Sequence, residues 1–427
     1  MKVFNTKNLD RKLIESALSA NINTEDDKIF NIVKGIIKEV REGGDKKLLE
    51  LGQRFDSPHL TSLKVPEEEI KEAYNQVEES LLEALNQAKE NIYNFHKNQI
   101  QTGWKTTFDG CTYGQIIRPI EKVGIYAPGG LASYPSTVLM TAVPALVVGV
   151  GQIVMCAPAQ KDGKMNPAMI VAADLCGVKD IFKIGGAGAI AAMAFGTETV
   201  PKVDKIVGPG NAFVAEAKRQ LFGVVGIDQV AGPSEILVIA DDSANPKFVA
   251  ADLLSQAEHA KDSRCVCVTT SASLADEIIK EAEAQTDTAL RKDCIEESMS
   301  DAVLVVCKDL DECVYFANYF APEHLEIQTE SPWDVVSKIK NAGTIMVGSW
   351  TPVPVCDFAA GPNHTLPTNG TARFSSALSV DDYIKKSGLL SFTQEGIKDI
   401  APTALKIAET EGFDAHAETI RKRITNK

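Results

Sequence analysis

Gln256 and His259 place an amide and an imidazole three residues apart, in the apolar stretch that begins at Leu253. Side chains at this spacing share one face of a helix, about 5–6 Å apart at Cβ. Amide oxygen and imidazole nitrogen both bind borderline metals such as zinc. The same spacing also suits a helical histidine bonded to its neighbours, so these two residues alone do not decide between the two readings.

Three further histidines stand in short polar stretches of the second half of the chain. His324 follows Glu323 and opens a predicted strand, His364 comes shortly after Asp357, and His416 lies close to the C-terminus. One Asp, two His and one Gln would form a four-coordinate nitrogen and oxygen site of the kind that zinc prefers. The spacing does not establish that they converge, and structural roles for His324 and His416 remain open.

Glycine-containing turns are candidates for a second function, the binding of a dinucleotide pyrophosphate. Residues 186–191 read G-x-G-x-x-A between a predicted strand and a helix, a pattern that suits a pyrophosphate at the helix N-terminus. Glu198 and Asp204 follow too soon to be the usual ribose-binding acid, and close helix–strand packing explains the small residues equally well. Two glycine–proline turns present Asn211 and Ser234 at predicted strand ends, where they are also ordinary turn residues.

Alternating strands and helices must position these groups. Apolar runs predict strands at 123–126, 153–156, 181–184, 236–239, 263–270, 302–307, 324–328 and 343–347. Helical patterns fall between them, which predicts an α/β fold with two Rossmann-like parallel-sheet lobes. Ligands in such sheets bind at the carboxyl ends of the strands. Residues 1 to about 100 and 381–427 read as helical extensions.

Composition narrows the class of protein. The chain has 427 residues, 44% of them hydrophobic, and a formal net charge of −14, which disfavours nucleic acid and anionic membrane surfaces as partners. The N-terminus lacks a signal-peptide pattern, and the most apolar stretch, 138–150, is too short to span a bilayer. Nine cysteines without a C-x-x-C pair indicate a reducing compartment, so we expect a cytoplasmic protein.

Seven motifs, in order along nearly the whole chain, resemble those of the histidinol dehydrogenases. They occupy residues 124–130, 208–211, 232–235, 256–259, 321–324, 361–364 and 411–416. The resemblance implies the last step of histidine biosynthesis, in which L-histidinol is oxidised to L-histidine through bound L-histidinal with two NAD⁺ and a zinc ion. It also implies an aldehyde-dehydrogenase-like architecture and a homodimer with shared active sites.

The resemblance assigns roles residue by residue. It implies zinc ligands at Gln256, His259, Asp357 and His416, the last from the partner subunit, and an acid–base pair at Glu323 and His324. The implied substrate contacts are His324, the four zinc ligands, Ser234 and Glu411, and the implied cofactor contacts are Tyr126 and Asn211. Gly188 departs from the family, which usually has Gln there, so we do not count it as a cofactor residue.

The domain division follows from the same reading. We expect an N-terminal helical arm at 1–22, a zinc and substrate lobe at 23–125 and 235–378, an NAD lobe at 126–234, and a helical tail at 379–427 that reaches the partner.

Three other classes of protein compete with this reading. A zinc hydrolase would need no NAD⁺, a non-catalytic metal-binding scaffold would form no NADH, and a thiol-dependent dehydrogenase would need a reactive cysteine.

Overall fold

The computed structural model describes residues 1–19, 27–129 and 133–425. The chain divides into two compact units, the first formed by residues 1–99 and 121–383 and the second by residues 100–120 and 384–427. The first unit contains two parallel sheets, and the second contains a small antiparallel sheet and two helices. The α/β fold class with two parallel sheets is therefore confirmed.

The strands of the described residues are β1 (Lys2–Asn5), β2 (Trp104–Phe108), β3 (Cys111–Pro119), β4 (Lys122–Tyr126), β5 (Gln152–Ala157), β6 (Asp180–Lys183), β7 (Lys205–Val207), β8 (Gly226–Ile227), β9 (Glu235–Ala240), β10 (Arg264–Thr269), β11 (Val303–Val306), β12 (His324–Gln328), β13 (Thr344–Val347) and β14 (Ile384–Phe392).

The helices are α1 (Arg11–Leu18), α2 (Asp27–Phe55, broken at Gly44), α3 (Glu67–Gln76), α4 (Glu79–His96), α5 (Pro135–Val148), α6 (Pro167–Leu175), α7 (Gly186–Phe195), α8 (Ala212–Leu221), α9 (Pro246–Ala257), α10 (Ala272–Thr286), α11 (Lys292–Asp301), α12 (Leu310–Phe320), α13 (Pro332–Val336), α14 (Val353–Val355), α15 (Gly396–Thr410) and α16 (Asp414–Thr425). Of these helices, none is both long and apolar enough to span a membrane.

The six-stranded sheet has the order β1-β11-β10-β9-β12-β13, and all its pairs are parallel. Its central strand β9 is buried along its whole length. Ile236 and Val238 pack into the core on one face, and Leu237 and Ile239 pack into the core on the other. Helices therefore cover both faces, as the continuous apolar strand sequences predict.

The five-stranded sheet has the order β6-β5-β4-β7-β8 and is also parallel. Helices α2, α7 and α8 contribute to the core cluster on this sheet. Strand β4 pairs with β5 and β7, so residues 122–125 belong with this sheet and not with the first lobe in which we placed them.

Both chain ends contain strands that the sequence pattern did not predict. Residues 2–5 were expected in a helical arm, but β1 pairs in parallel with β11 along the edge of the six-stranded sheet. In the expected helical tail, β14 pairs with β3, while Pro402 lies inside α15 instead of joining two segments. The expected boundary at residue 22 and the motif residue Gly130 lie outside the described residues. The lobe division otherwise stays a prediction.

Candidate active site and cavity

His324 is held by contacts on both sides of its ring. It opens β12 and lies opposite Ile236 of β9, so its ring reaches the main chain at Glu235. The Nδ1 atom is 3.1 Å from the Glu235 carbonyl oxygen, and Nε2 is 3.3 Å from Asp357 Oδ1. The carbonyl accepts only from a protonated Nδ1, which leaves Nε2 as the nitrogen that exchanges a proton.

Burial and neighbouring charges change the pKa values of both His324 and Glu323. Burial alone would lower the pKa of His324, but the negative charges of Glu323 and Asp357 raise it to about 9. Burial raises the pKa of Glu323 to about 8, and the charge of His324 opposes that shift. The two pKa values are linked, because a protonated Glu323 no longer favours the imidazolium. Such a pair of groups is suited to holding and passing a proton.

Glu323 is fixed by the neighbouring strand. Its Oε2 accepts a hydrogen bond of 2.8 Å from the Glu235 main-chain N–H and lies 3.7 Å from His324 Nδ1. Glu235 itself pairs through Oε1 with Arg264 at 3.0 Å. Ser234, directly before β9, accepts the Arg264 N–H on its carbonyl oxygen at 2.9 Å. The start of β9 thus organises both members of the predicted acid–base pair.

Asp357 is buried in a π-helical turn at Cys356–Ala360. Burial opposes its ionisation, but hydrogen bonding to His324 and the nearby imidazoles hold its pKa below the ordinary value. His364 Nδ1 donates to the Asp357 carbonyl oxygen at 2.9 Å, and its Nε2 lies 3.1 Å from Thr137 Oγ1. Asp357 therefore remains a carboxylate inside a cluster of imidazoles.

Gln256 lies in the last turn of α9, and His259 follows the helix and closes a turn onto the Gln256 carbonyl. His259 reaches the surface, but surrounding protein atoms reduce the hydration of its imidazole, and this desolvation lowers its pKa. The negative charge of Asp357 opposes the shift. Both polar atoms of the buried Gln256 amide lack a hydrogen-bond partner in the described part of the chain. A buried amide with no partner is costly unless a ligand satisfies it.

The donors present fit a divalent cation. They are a carboxylate at Asp357, an unpartnered amide at Gln256, and an imidazole at His259 whose lowered pKa favours the neutral, metal-binding form. Across the described residues, no group of three or more His, Cys, Asp or Glu side chains is arranged to hold a metal ion. The set that fits includes Gln256 and would need a further donor from elsewhere.

This cluster lies at the amino ends of β9 and β12, because Ser234, Glu323 and His324 precede or open those strands. We expected ligands at the carboxyl ends of the strands, and this cluster lies at the opposite ends. The connections explain the arrangement: α9 runs back after β9, and its C-terminal end returns to the edge where the strands begin.

A cavity of about 660 Å³ lies at the carboxyl ends of the five-stranded sheet, where we expect a ligand. Tyr126 ends β4, Asn211 caps α8, and both line the cavity together with Gly188. The volume is in the range of cavities that bind cofactors.

The glycine turn at the start of α7 already has anionic and polar partners. The Gly186 N–H donates to Tyr126 Oη at 3.1 Å, and the Gly185 N–H bonds to the Asp56 carboxylate. Burial raises the pKa of Asp56 to about 6, while the Gly185 hydrogen bond opposes the shift. Two N–H groups that a pyrophosphate would use are therefore satisfied by the protein, so the G-x-G-x-x-A pattern here does not indicate a free phosphate site.

Replacing Gly188 by Ala is expected to stabilise the protein by about 0.4–1 kcal/mol, because alanine restricts the unfolded chain. An added Cβ would meet Leu48 Cδ2 at 3.5 Å and Leu51 Cδ1 at 3.8 Å, which are ordinary contacts. The matched control is Gly186→Ala on the same turn. Gly186 has φ +61°, so alanine there should destabilise. Chemical denaturation measures both variants, and a loss of stability in Gly188→Ala would show that the position cannot accept a methyl group.

The predicted residues Glu411 and His416 belong to the second unit. Glu411 caps the C-terminus of α15, and His416 is exposed on α16 with its ring 5.1 Å from that of Phe413. Their assigned roles, like those of the other site residues, stay predictions.

The burial and the pKa values of the cysteine thiols give little support to a mechanism that uses a reactive cysteine. Eight of the nine cysteines are buried, and Cys294 is partly exposed. Burial raises the pKa of Cys176, Cys265 and Cys267 to about 12, and that of Cys356, next to Asp357, to about 11. Reactive cysteines need a lowered pKa, which none of these four thiols has.

Three residues of the site were not given roles by the sequence. Glu235 acts through its main chain, and His364 stood in a recognised motif without an assigned function. Asp56 follows the last residue of α2 in a segment that carries no signal of a site. Only the position of His364, shortly after Asp357, was a usable hint.

The fold is α/β, with a buried cluster of Glu323, His324 and Asp357 at one parallel sheet and a cavity of about 660 Å³ at the other, an arrangement that suits an enzyme. A family model described as histidinol dehydrogenase matches residues 20–424. The chain is 48% identical over 425 residues to histidinol dehydrogenase of Clostridium acetobutylicum, with 99% of each chain covered. It is 51% identical over 405 residues to that of Caldanaerobacter subterraneus subsp. tengcongensis, with 94% of each covered.

A crystal structure of histidinol dehydrogenase from Elizabethkingia anophelis has a TM-score of 0.95 and 38% identity to this chain, covering 99% of this chain and 98% of that one. The chain belongs to the histidinol dehydrogenase family and is an oxidoreductase.

Proposed function

We propose that this chain oxidises L-histidinol to L-histidine through L-histidinal, with NAD⁺ and a zinc ion, as the last step of histidine biosynthesis. The observation that carries the proposal is the arrangement of His324. Its Nδ1 is anchored by a main-chain carbonyl, and its Nε2 faces the carboxylate of Asp357. This arrangement supports a base beside a metal ligand, and family membership supports the substrate.

Gln256, His259 and Asp357 are the residues that would hold zinc, joined by His416 of the partner subunit. The unpartnered Gln256 amide and the ionised Asp357 support this assignment. Tyr126 and Asn211 would contact NAD⁺ from the cavity wall. When bound, zinc supplies positive charge that orients the substrate nitrogens, and NAD⁺ supplies the hydride acceptor.

The protein residues handle the protons. His324 Nε2 accepts the alcohol proton as hydride leaves the adjacent carbon, which gives the aldehyde. Glu323 takes a proton from water as that water adds to the aldehyde, and His324 returns its proton to the former carbonyl oxygen, which gives the neutral hydrate. His324, once it has released its first proton, accepts one from the hydrate as the second hydride leaves, which gives the carboxylic acid. General-base assistance of this kind contributes roughly 10²–10⁴ in rate. Ser234 and Glu411 are proposed to contact the substrate.

We further propose a homodimer with shared sites in the cytoplasm. The assignment of His416 to the zinc site of the partner subunit is what requires the second copy. No nucleic acid or membrane partner is proposed, in keeping with the net charge of −14.

The deciding measurement is the amount of NADH formed per L-histidinol consumed. A ratio near two is expected, because two hydrides leave each substrate. A chelator should abolish turnover, and added Zn²⁺ should restore it. A ratio near one would contradict the second oxidation, and full activity of a metal-free sample would contradict the zinc requirement. Product formation without NAD⁺ would favour a zinc hydrolase instead.

A further inference from the structure

An ion pair between Lys218 and Asp228 is buried beside the cavity wall. The side chains are 2% and 4% exposed, and neither group belongs to the proposed chemistry. Lys218 lies on α8, and Asp228 directly follows β8. A buried ion pair contributes little net stability compared with apolar side chains of the same size. Its presence here is better explained by what it holds in place.

Both members of the ion pair form a hydrogen bond with the main chain of one residue, Gly208. Lys218 Nζ donates to the Gly208 carbonyl oxygen at 2.8 Å, and the Gly208 N–H donates to Asp228 Oδ2 at 2.7 Å. Gly208 has φ +113°, and a Cβ on it would clash with the Tyr126 carbonyl oxygen. The main chain therefore adopts a conformation that only glycine favours, against the residue that ends β4.

Gly208 is followed in the chain by residues that line the cavity. Three residues later, Asn211 caps α8 by accepting the N–H groups of Phe213 and Val214 at 3.1 and 3.2 Å. Tyr126, Asn211 and Phe213 all line the cavity. Lys218 is on the helix that Asn211 caps, so the hydrogen bond from Lys218 to Gly208 connects this helix to the turn that precedes it.

We propose that Lys218 and Asp228 are positioning residues for cofactor binding: by fixing Gly208 they hold Tyr126 and Asn211 in the geometry that NAD⁺ requires. This inference rests on the proposed use of NAD⁺.

The test compares the wild-type protein with the paired variant Lys218→Met/Asp228→Asn, both full-length and loaded with zinc. Methionine keeps the length of the lysine without its charge, and asparagine keeps an oxygen for the Gly208 N–H, so no unpaired charge is left buried. Calorimetric titration of NAD⁺ should give a Kd raised about tenfold, as expected for a displaced wall. Zinc content and the KM for L-histidinol should not change.

The matched control is Lys205→Met, which breaks a partly buried ion pair with Asp382 at the opposite end of β7. It should leave the Kd for NAD⁺ unchanged. An unchanged Kd in the folded paired variant would overturn the proposal. So would a parallel loss of NAD⁺ binding, zinc and substrate binding, which would indicate general destabilisation.

Amide hydrogen exchange separates this inference from the proposed function. Exchange at Gly208 and Phe213 should be faster in the paired variant, whether or not NAD⁺ is the cofactor. A wild-type protein that binds no NAD⁺ would contradict the proposed function alone. Unchanged exchange at those two amides would contradict the positioning role.

Discussion

Replacing His324 by Asn is expected to lower kcat by about 10²–10⁴, the contribution of a general base. The asparagine amide can still donate to the Glu235 carbonyl, as Nδ1 does now at 3.1 Å, but it offers no basic nitrogen at the position of Nε2. Steady-state NADH formation measures the effect. Zinc content serves as the internal control and should stay at the wild-type level, because His324 is not a proposed ligand.

Glu323→Gln distinguishes the two members of the pair. With L-histidinal supplied in water, where part of it is already hydrated, Glu323→Gln should retain a larger fraction of wild-type activity than His324→Asn. The reason is that only His324 is assigned to both oxidations. If Glu323→Gln lost more of its activity on L-histidinal than His324→Asn did, the assigned roles would be wrong.

The second large effect is complementation between two inactive chains. A hybrid dimer of His324→Asn with His416→Ala is expected to recover about half of the wild-type activity per dimer. One of its two sites combines an intact His324 from one chain with an intact His416 of the partner subunit. Co-expression with two different affinity tags allows the hybrid to be purified from the parent dimers before NADH formation is measured.

The control places both substitutions on one chain and pairs it with a wild-type chain. If the sites are shared, each site of that hybrid lacks one residue and the dimer should be inactive. If each chain completes its own site, the results are reversed: the first hybrid is inactive and the second keeps half of the activity. His416→Ala alone should also lower zinc content.

Most strands with apolar sequences were predictable, including the edge strands β6 and β13. The runs that became β9 to β13 are short, apolar and separated by helical patterns, so their positions followed from periodicity within a few residues. The largely exposed strands β1 and β14 were not. β1 has four residues, two of them exposed, and most of β14 is exposed around Gly388. Such strands are defined by their partners β11 and β3, which a local pattern does not reveal.

The candidate site was predictable as a set of residue types and much less as a geometry. Motif resemblance selected Glu323, His324 and Asp357, which lie together in the fold, but nothing local indicated that this cluster would lie at the amino ends of the strands. Glu235 and Asp56 were missed for a common reason. Their contacts, to His324 and to Gly185, join residues far apart in the chain, and each contact involves a main-chain atom.

The anchor of His324 has an evolutionary consequence. Its acceptor is the carbonyl of a peptide bond, so no codon change at position 235 can delete it. The tautomer is determined by the register of β12 against β9, in which His324 lies opposite Ile236. Mutational drift can therefore alter the side chains around the imidazole while its proton stays on the same nitrogen, unless the two strands slip past one another.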